Sequence, residues 1–145
     1  MERLGRGVAH GGTYCGNAVA MAAAEKTLEI LSSTQALEEV AERGKQLQKG
    51  ISDILEAHST PFAFSGHPSM FGVTFAESQP KDLRDWAASN HDQYNAILEA
   101  LVKRGAMPDP DSLEPWFFCQ AHSQQDIDDT LTAFEDSVKE VLGSE

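Results

Sequence analysis

Residues 12–24 read Gly12-Thr13-Tyr14-Cys15-Gly16-Asn17-Ala18-Val19-Ala20-Met21-Ala22-Ala23-Ala24, and the folding of this stretch frames the rest of the chain. Gly5, Gly7, Gly11, Gly12 and Gly16 make the first 16 residues an extended or looped segment. Asn17 is a favoured N-cap, so a helix is predicted from Ala18 to about Leu31. Its first two turns are apolar all round, a pattern normally enclosed on several sides. A chain of 145 residues supplies such an enclosure only with difficulty, which points to a wall from another domain or subunit. Glycines let a backbone approach a ligand closely, and a hydroxyl with free N–H groups before a helix start forms an anion site. A tight turn accounts for the same residues without any ligand.

Downstream, Thr34 is placed to cap a second helix. Its apolar positions are Leu37, Val40, Ala41, Leu47, Ile51, Ile54 and Leu55, with Gly44 in the gap and charged residues opposite. Pro61 blocks its continuation. A short strand at Phe62–Ser65, a turn at Gly66-His67-Pro68 and a strand over Met70–Phe75 follow. Residues 76–90 are polar and loop-like. A third helix carries Tyr94, Ile97, Leu98, Leu101 and Val102 and stops at Gly105. Met107 reads as a short strand and Trp116–Cys119 as another. Ser123, with Asp126 three residues on, caps a last helix striped by Ile127, Leu131, Phe134, Val138 and Val141. Helices on a small, mainly antiparallel sheet give an α+β fold.

The composition is that of an ordinary folded domain, 41% hydrophobic and 23% charged. The net charge of −12 argues against nucleic acid, which needs clustered cations, and against an anionic membrane surface. The acidity is uneven: residues 1–80 carry net −3 and residues 81–145 net −9, which reads as a solvated acidic face. No apolar run approaches the length of a membrane span, and Met1–His10 lacks an apolar signal core. Cys15 and Cys119 lack CxxC spacing, so a reducing cytoplasmic location is expected. His10, His58, His67, His91 and His122 show no zinc spacing, and Asp109, Asp111 and Glu114 show no calcium-loop pattern; no metal site is expected. Trp86 and Trp116 read as packing residues and His122 as structural.

The string Gly12–Ala24 resembles the G-T-x-x-G-N-P-x-A-M-A-A segment of class III pyridoxal-phosphate (PLP) aminotransferases, and most of all their glutamate-1-semialdehyde aminomutase branch. Three further blocks stay in register with that branch. Gly66–Gly72 is similar to its G-S-M-F-G strand, and Leu101-Val102-Lys103-Arg104-Gly105 to its L-x-x-R-G helix end. Ala121–Leu131 resembles its A-H-T-x-x-D-I-D-x-T-L opening of the final helix. The resemblance implies the C-terminal small domain of a fold-type I PLP enzyme. On that reading residues 1–16 form a Gly-rich segment with a phosphate-facing Gly-Thr, and residues 17–145 form the small domain.

Further expectations follow from the resemblance. Gly12 and Thr13 reach the PLP phosphate of the neighbouring subunit in a homodimer, and Glu114 lies near the substrate mouth. The Schiff-base lysine belongs to a large domain that this chain lacks. None of Lys26, Lys45, Lys49, Lys81, Lys103 and Lys139 matches it, so no catalytic residue and no tight PLP binding are expected of this chain alone. The chain is expected to be a fragment or truncated frame of an enzyme acting on a small amino acid, amine or keto substrate. A non-catalytic dimerising module with the same fold is the alternative. Two departures stand out: Ala18 replaces the family proline, and Cys15 stands where serine is common. Cys15 reads as a buried small hydrophobe in preference to a reactive thiol.

Overall fold

A computed structural model describes residues 11–143. The chain divides into two units, the first ending at Ala36 and the second beginning at Leu37.

In the first unit, helix α1 spans Ala18–Ser33. Asn17 caps it in extended backbone, and its side chain accepts from the Ala20 N–H at 3.0 Å. None of the residues of α1 is buried. Thr34 ends α1, with its hydroxyl and its N–H both donating to the Ile30 carbonyl, and its Oγ1 also accepts from the Ala36 N–H.

Helix α2 (Ala36–Ala57) begins on the last residue of the first unit and otherwise lies in the second, which also contains β1 (Ala63–His67), β2 (Met70–Thr74), α3 (Leu83–Ala87), α4 (His91–Lys103), β3 (Trp116–Phe117) and α5 (Gln124–Leu142). The sheet is antiparallel with strand order β1-β2-β3. On β2, Phe71 and Val73 alternate onto one face, continued by Phe75. They join Leu47, Ile51 and Leu55 of α2, Ile97 and Leu101 of α4, Trp116 of β3, and Ile127, Phe134 and Val138 of α5 in one core. This is the expected α+β fold. Leu37 departs from the expected stripe of α2 and is exposed. The reason for Gly44 is now visible: it is buried where α2 crosses the β1–β2 turn at Pro68.

Five local expectations are corrected. The hairpin turn falls on Pro68-Ser69, because Gly66 stays paired opposite Phe71 while adopting φ +91°, which only glycine takes without strain. The polar stretch before α4 holds the short helix α3, whose N-cap Asp82 accepts from the Arg84 and Asp85 N–H groups. Met107 is on no strand and is exposed, and β3 is two residues long. Cys15 is exposed, not buried.

The start of α5 is a reciprocal capping box. Ser123 donates to the Asp126 carboxylate from its backbone N–H at 2.6 Å and from its hydroxyl at 2.8 Å. These bonds hold the Asp126 carboxyl below its ordinary 3.8. A depressed folded-state value means that the cap contributes fully above about pH 4 and is lost as pH falls through the lowered value. Asp126→Asn should therefore lower the thermal midpoint at neutral pH, and its difference from wild type should shrink towards zero well below pH 4. A difference independent of pH would show that the carboxylate charge has no part in the cap.

Candidate functional site

The turn ahead of α1 is built by two successive backbone hydrogen bonds, Cys15 N–H to the Gly12 carbonyl at 3.1 Å and Asn17 N–H to the Tyr14 carbonyl at 3.0 Å. Both carbonyls are consumed inside the turn. Among the described residues, neither the N–H nor the hydroxyl of exposed Thr13 has a partner. A Cβ on Gly12 would lie 2.9 Å from Cys15 Sγ, so the turn is closed tightly at that position. The first turn of α1 carries no acidic side chain, which leaves its positive end uncompensated. Free donors beside an uncompensated helix start suit an anion with several acceptor oxygens.

Glu114 belongs to the second unit, on the loop between α4 and β3, and is exposed. The loop is wound by its own aspartates. Asp109 Oδ1 accepts from the Asp111 N–H at 3.0 Å, and Asp111 Oδ1 accepts from the Leu113 N–H at 2.9 Å. The Glu114 N–H donates to the Asp111 carbonyl at 3.0 Å. Buried Tyr94 anchors the start of the loop, its hydroxyl donating to the Asp109 carbonyl at 2.9 Å and accepting from Trp116 Nε1–H at 3.1 Å. Burial pushes the Tyr94 phenol up, and the charges of Asp109 and Asp111 add to this, while the Trp116 bond works the other way.

The sequence reading missed a cleft of about 450 Å³ in the second unit. It opens between the segment Gly105–Pro108, strand β3 and the first turns of α5, with Arg104, His122 and Asp129 among its polar lining. Arg104 is engaged within the fold, by Glu140 at 2.6 Å and by the Ala100 carbonyl at 2.9 Å. Nothing in one-dimensional spacing marks this cleft, since its walls come from α2, α4, β3 and α5. His122 serves the local turn: its Nδ1 accepts from the Cys119 N–H at 3.0 Å. Among the described residues, no three of His, Cys, Asp and Glu group as a metal site, and no helix is long and apolar enough to cross a membrane.

Five of the lysines sit in surface ion pairs: Lys26–Glu29, Lys45–Glu42, Lys49–Asp53, Lys103–Glu99 and Lys139–Glu135. The carboxylate hydrogen bonds raise the amines of Lys49, Lys103 and Lys139 above their usual value. A nucleophilic amine needs the opposite shift.

The family profile of aminotransferase class III matches residues 1–136. The chain belongs to the class III aminotransferases. Among curated relatives of this class III chain, the glutamate-1-semialdehyde 2,1-aminomutase of Neisseria meningitidis serogroup C is 34% identical over 125 residues, covering 86% of this chain and 29% of the relative. That of Aquifex aeolicus is 29% identical over 130 residues, covering 90% of this chain and 31% of the relative. Among solved structures, the FumI protein of Sphingopyxis sp. MTA144 in its PLP internal aldimine form matches with a TM-score of 0.74 at 26% identity, covering 95% of this chain and 30% of that one. The β-phenylalanine aminotransferase of Variovorax paradoxus shares the fold, with a TM-score of 0.77 at 22% identity over 92% of this chain and 30% of that one. The class III chain thus spans about three tenths of the length of these relatives. PLP is the cofactor of the family.

Proposed function

We propose that this chain is the C-terminal part of a PLP-dependent class III aminotransferase or aminomutase, working with a large domain that carries the cofactor lysine. Residues 1–16 act as the phosphate-facing segment and residues 17–145 as the small domain. The observation that carries the reading is the turn at Gly12-Thr13, with unpartnered donors beside a helix start free of acid. That donor set fits the phosphate of PLP. When bound, the cofactor supplies the electron sink for amino-group transfer.

The residues of this chain hold and enclose. The Thr13 N–H and hydroxyl donate to phosphate oxygens, and Gly12 leaves the backbone accessible. Glu114 stands at the substrate entrance, where its carboxylate favours an approaching amine. Two copies pair, so that Gly12 and Thr13 of one serve the phosphate bound in the other. Support comes from α1, where Val19 is 79% and Leu28 66% exposed, more apolar surface than a helix facing water normally carries. The surface pairing of the lysines supports placing the covalent chemistry on the large domain. A reducing cytoplasmic setting agrees with free Cys15 and Cys119.

The test is a chimera in which this chain replaces the matched span of the Neisseria meningitidis relative. Thr13→Val keeps volume and deletes the hydroxyl. Losing a hydrogen bond to a charged group should weaken PLP retention about ten- to a hundredfold in equilibrium dialysis, with an unchanged circular dichroism spectrum. Gly12→Val should weaken it further by blocking the backbone approach. Unchanged retention in Thr13→Val would reduce the segment to a structural turn.

A further inference from the structure

The loop that carries Glu114 is pinned at a second point, independent of Tyr94. Trp86 Nε1–H donates to Ser112 Oγ at 3.0 Å. His91 Nδ1 lies 3.3 Å from the same oxygen, and His91 Nε2 lies 3.4 Å from Ser89 Oγ. The indole N–H only donates, so Ser112 Oγ accepts from Trp86, and the same hydroxyl bonds His91 Nδ1. The two rings pack together with centroids 4.3 Å apart. One chain of hydrogen bonds therefore runs from α3 through the loop to the first residue of α4. Trp86, His91 and Ser112 are half-buried and belong to neither the main core nor the phosphate turn.

Ser112 is two residues before Glu114, whereas the Tyr94 anchor at Asp109 is five residues before it. Releasing Ser112 leaves the span between the anchors at Asp109 and Trp116, in which Glu114 lies, held only by its internal turns. We propose that Trp86, His91 and Ser112 form a latch that positions Glu114, an inference that rests on Glu114 standing at the substrate entrance. They are positioning residues: they act on the substrate only through the place they give to that carboxylate.

Hydrogen exchange on the full chain tests the latch without any cofactor. The reporters are the amides of Leu113 and Glu114, bonded to Asp111 Oδ1 at 2.9 Å and to the Asp111 carbonyl at 3.0 Å. Ser112→Ala and Trp86→Phe should each speed their exchange about tenfold, and Ser112→Thr, which keeps the hydroxyl, should restore it. The Ile51 amide should not change, showing that the core persists. Unchanged exchange at Leu113 and Glu114 would overturn the latch. In the chimera, Ser112→Ala and Glu114→Gln should both raise KM for the amino substrate, with kcat changing less. If Glu114→Gln raises KM and Ser112→Ala does not, the positioning role falls while the reading of Glu114 stands. If Glu114→Gln changes neither constant, the substrate-entrance reading falls and the proposal falls with it.

Discussion

Gly44→Ala destabilises the second unit by about 3 kcal/mol or more, although the same change in an open helix would stabilise it by about 1 kcal/mol. The reversal follows from what a Cβ would meet. It would lie 1.9 Å from the Pro68 carbonyl oxygen, 2.5 Å from the Pro68 carbonyl carbon and 2.6 Å from Phe118 Cζ. Two of these are backbone atoms of the hairpin turn, which no rotamer change can move. α2 must therefore lift off the sheet and take part of the packing of Leu47 and Ile51 with it. Gly50 of the same helix is the internal control. A Cβ there would meet Leu131, at 2.4 Å from Cδ2, 2.6 Å from Cδ1 and 3.0 Å from Cγ, all atoms of one half-buried side chain that can swing aside. Gly50→Ala should stay within about 1 kcal/mol of wild type. Urea unfolding followed by tryptophan fluorescence measures both, since Trp86 and Trp116 both lie in the second unit. Equal midpoints for the two variants would contradict the close approach of α2 to the hairpin.

Phe71→Ala should cost about 3–5 kcal/mol, a large part of the stability of a domain of this size. Phe71 is fully buried on the central strand. Its ring centroid lies 5.5 Å from that of Phe64, 6.0 Å from Trp116 and 6.4 Å from Phe118, so one truncation leaves three rings facing a cavity. Phe117, on the neighbouring strand, is 63% exposed, and Phe117→Ala should cost less than about 1 kcal/mol. Phe71→Leu should fall between them, because it refills part of the volume. A loss for Phe71→Ala no larger than for Phe117→Ala would show that the aromatic centre of the sheet is misplaced.

The helices were legible because their signals are local. Asn17 and Ser123 cap as their residue types favour, and the stripes of α4 and α5 are those of the 3.6-residue period. The hairpin shifted because Gly-His-Pro carries strong turn chemistry, yet Gly66 spends its conformational freedom inside a strand opposite Phe71. Helix α3 escaped because five residues are too few to show a period. Gly12 and Thr13 were visible as a glycine-rich helix entry, and Glu114 only through family resemblance. The cleft and the Ser112 latch join residues far apart in sequence, such as Trp86 and Ser112, and no local pattern announces such pairs.

On the proposed function, this chain completes an amino-transferring enzyme when joined to a PLP-bearing large domain. The direct measurement is turnover of glutamate-1-semialdehyde by the purified chimera with the Neisseria meningitidis partner, beside that partner part lacking the replaced span. PLP-dependent amino transfer clearly above the truncated control, and reduced by Thr13→Val, is the expected result. A folded, PLP-loaded chimera that turns over no faster than the truncated control would contradict it.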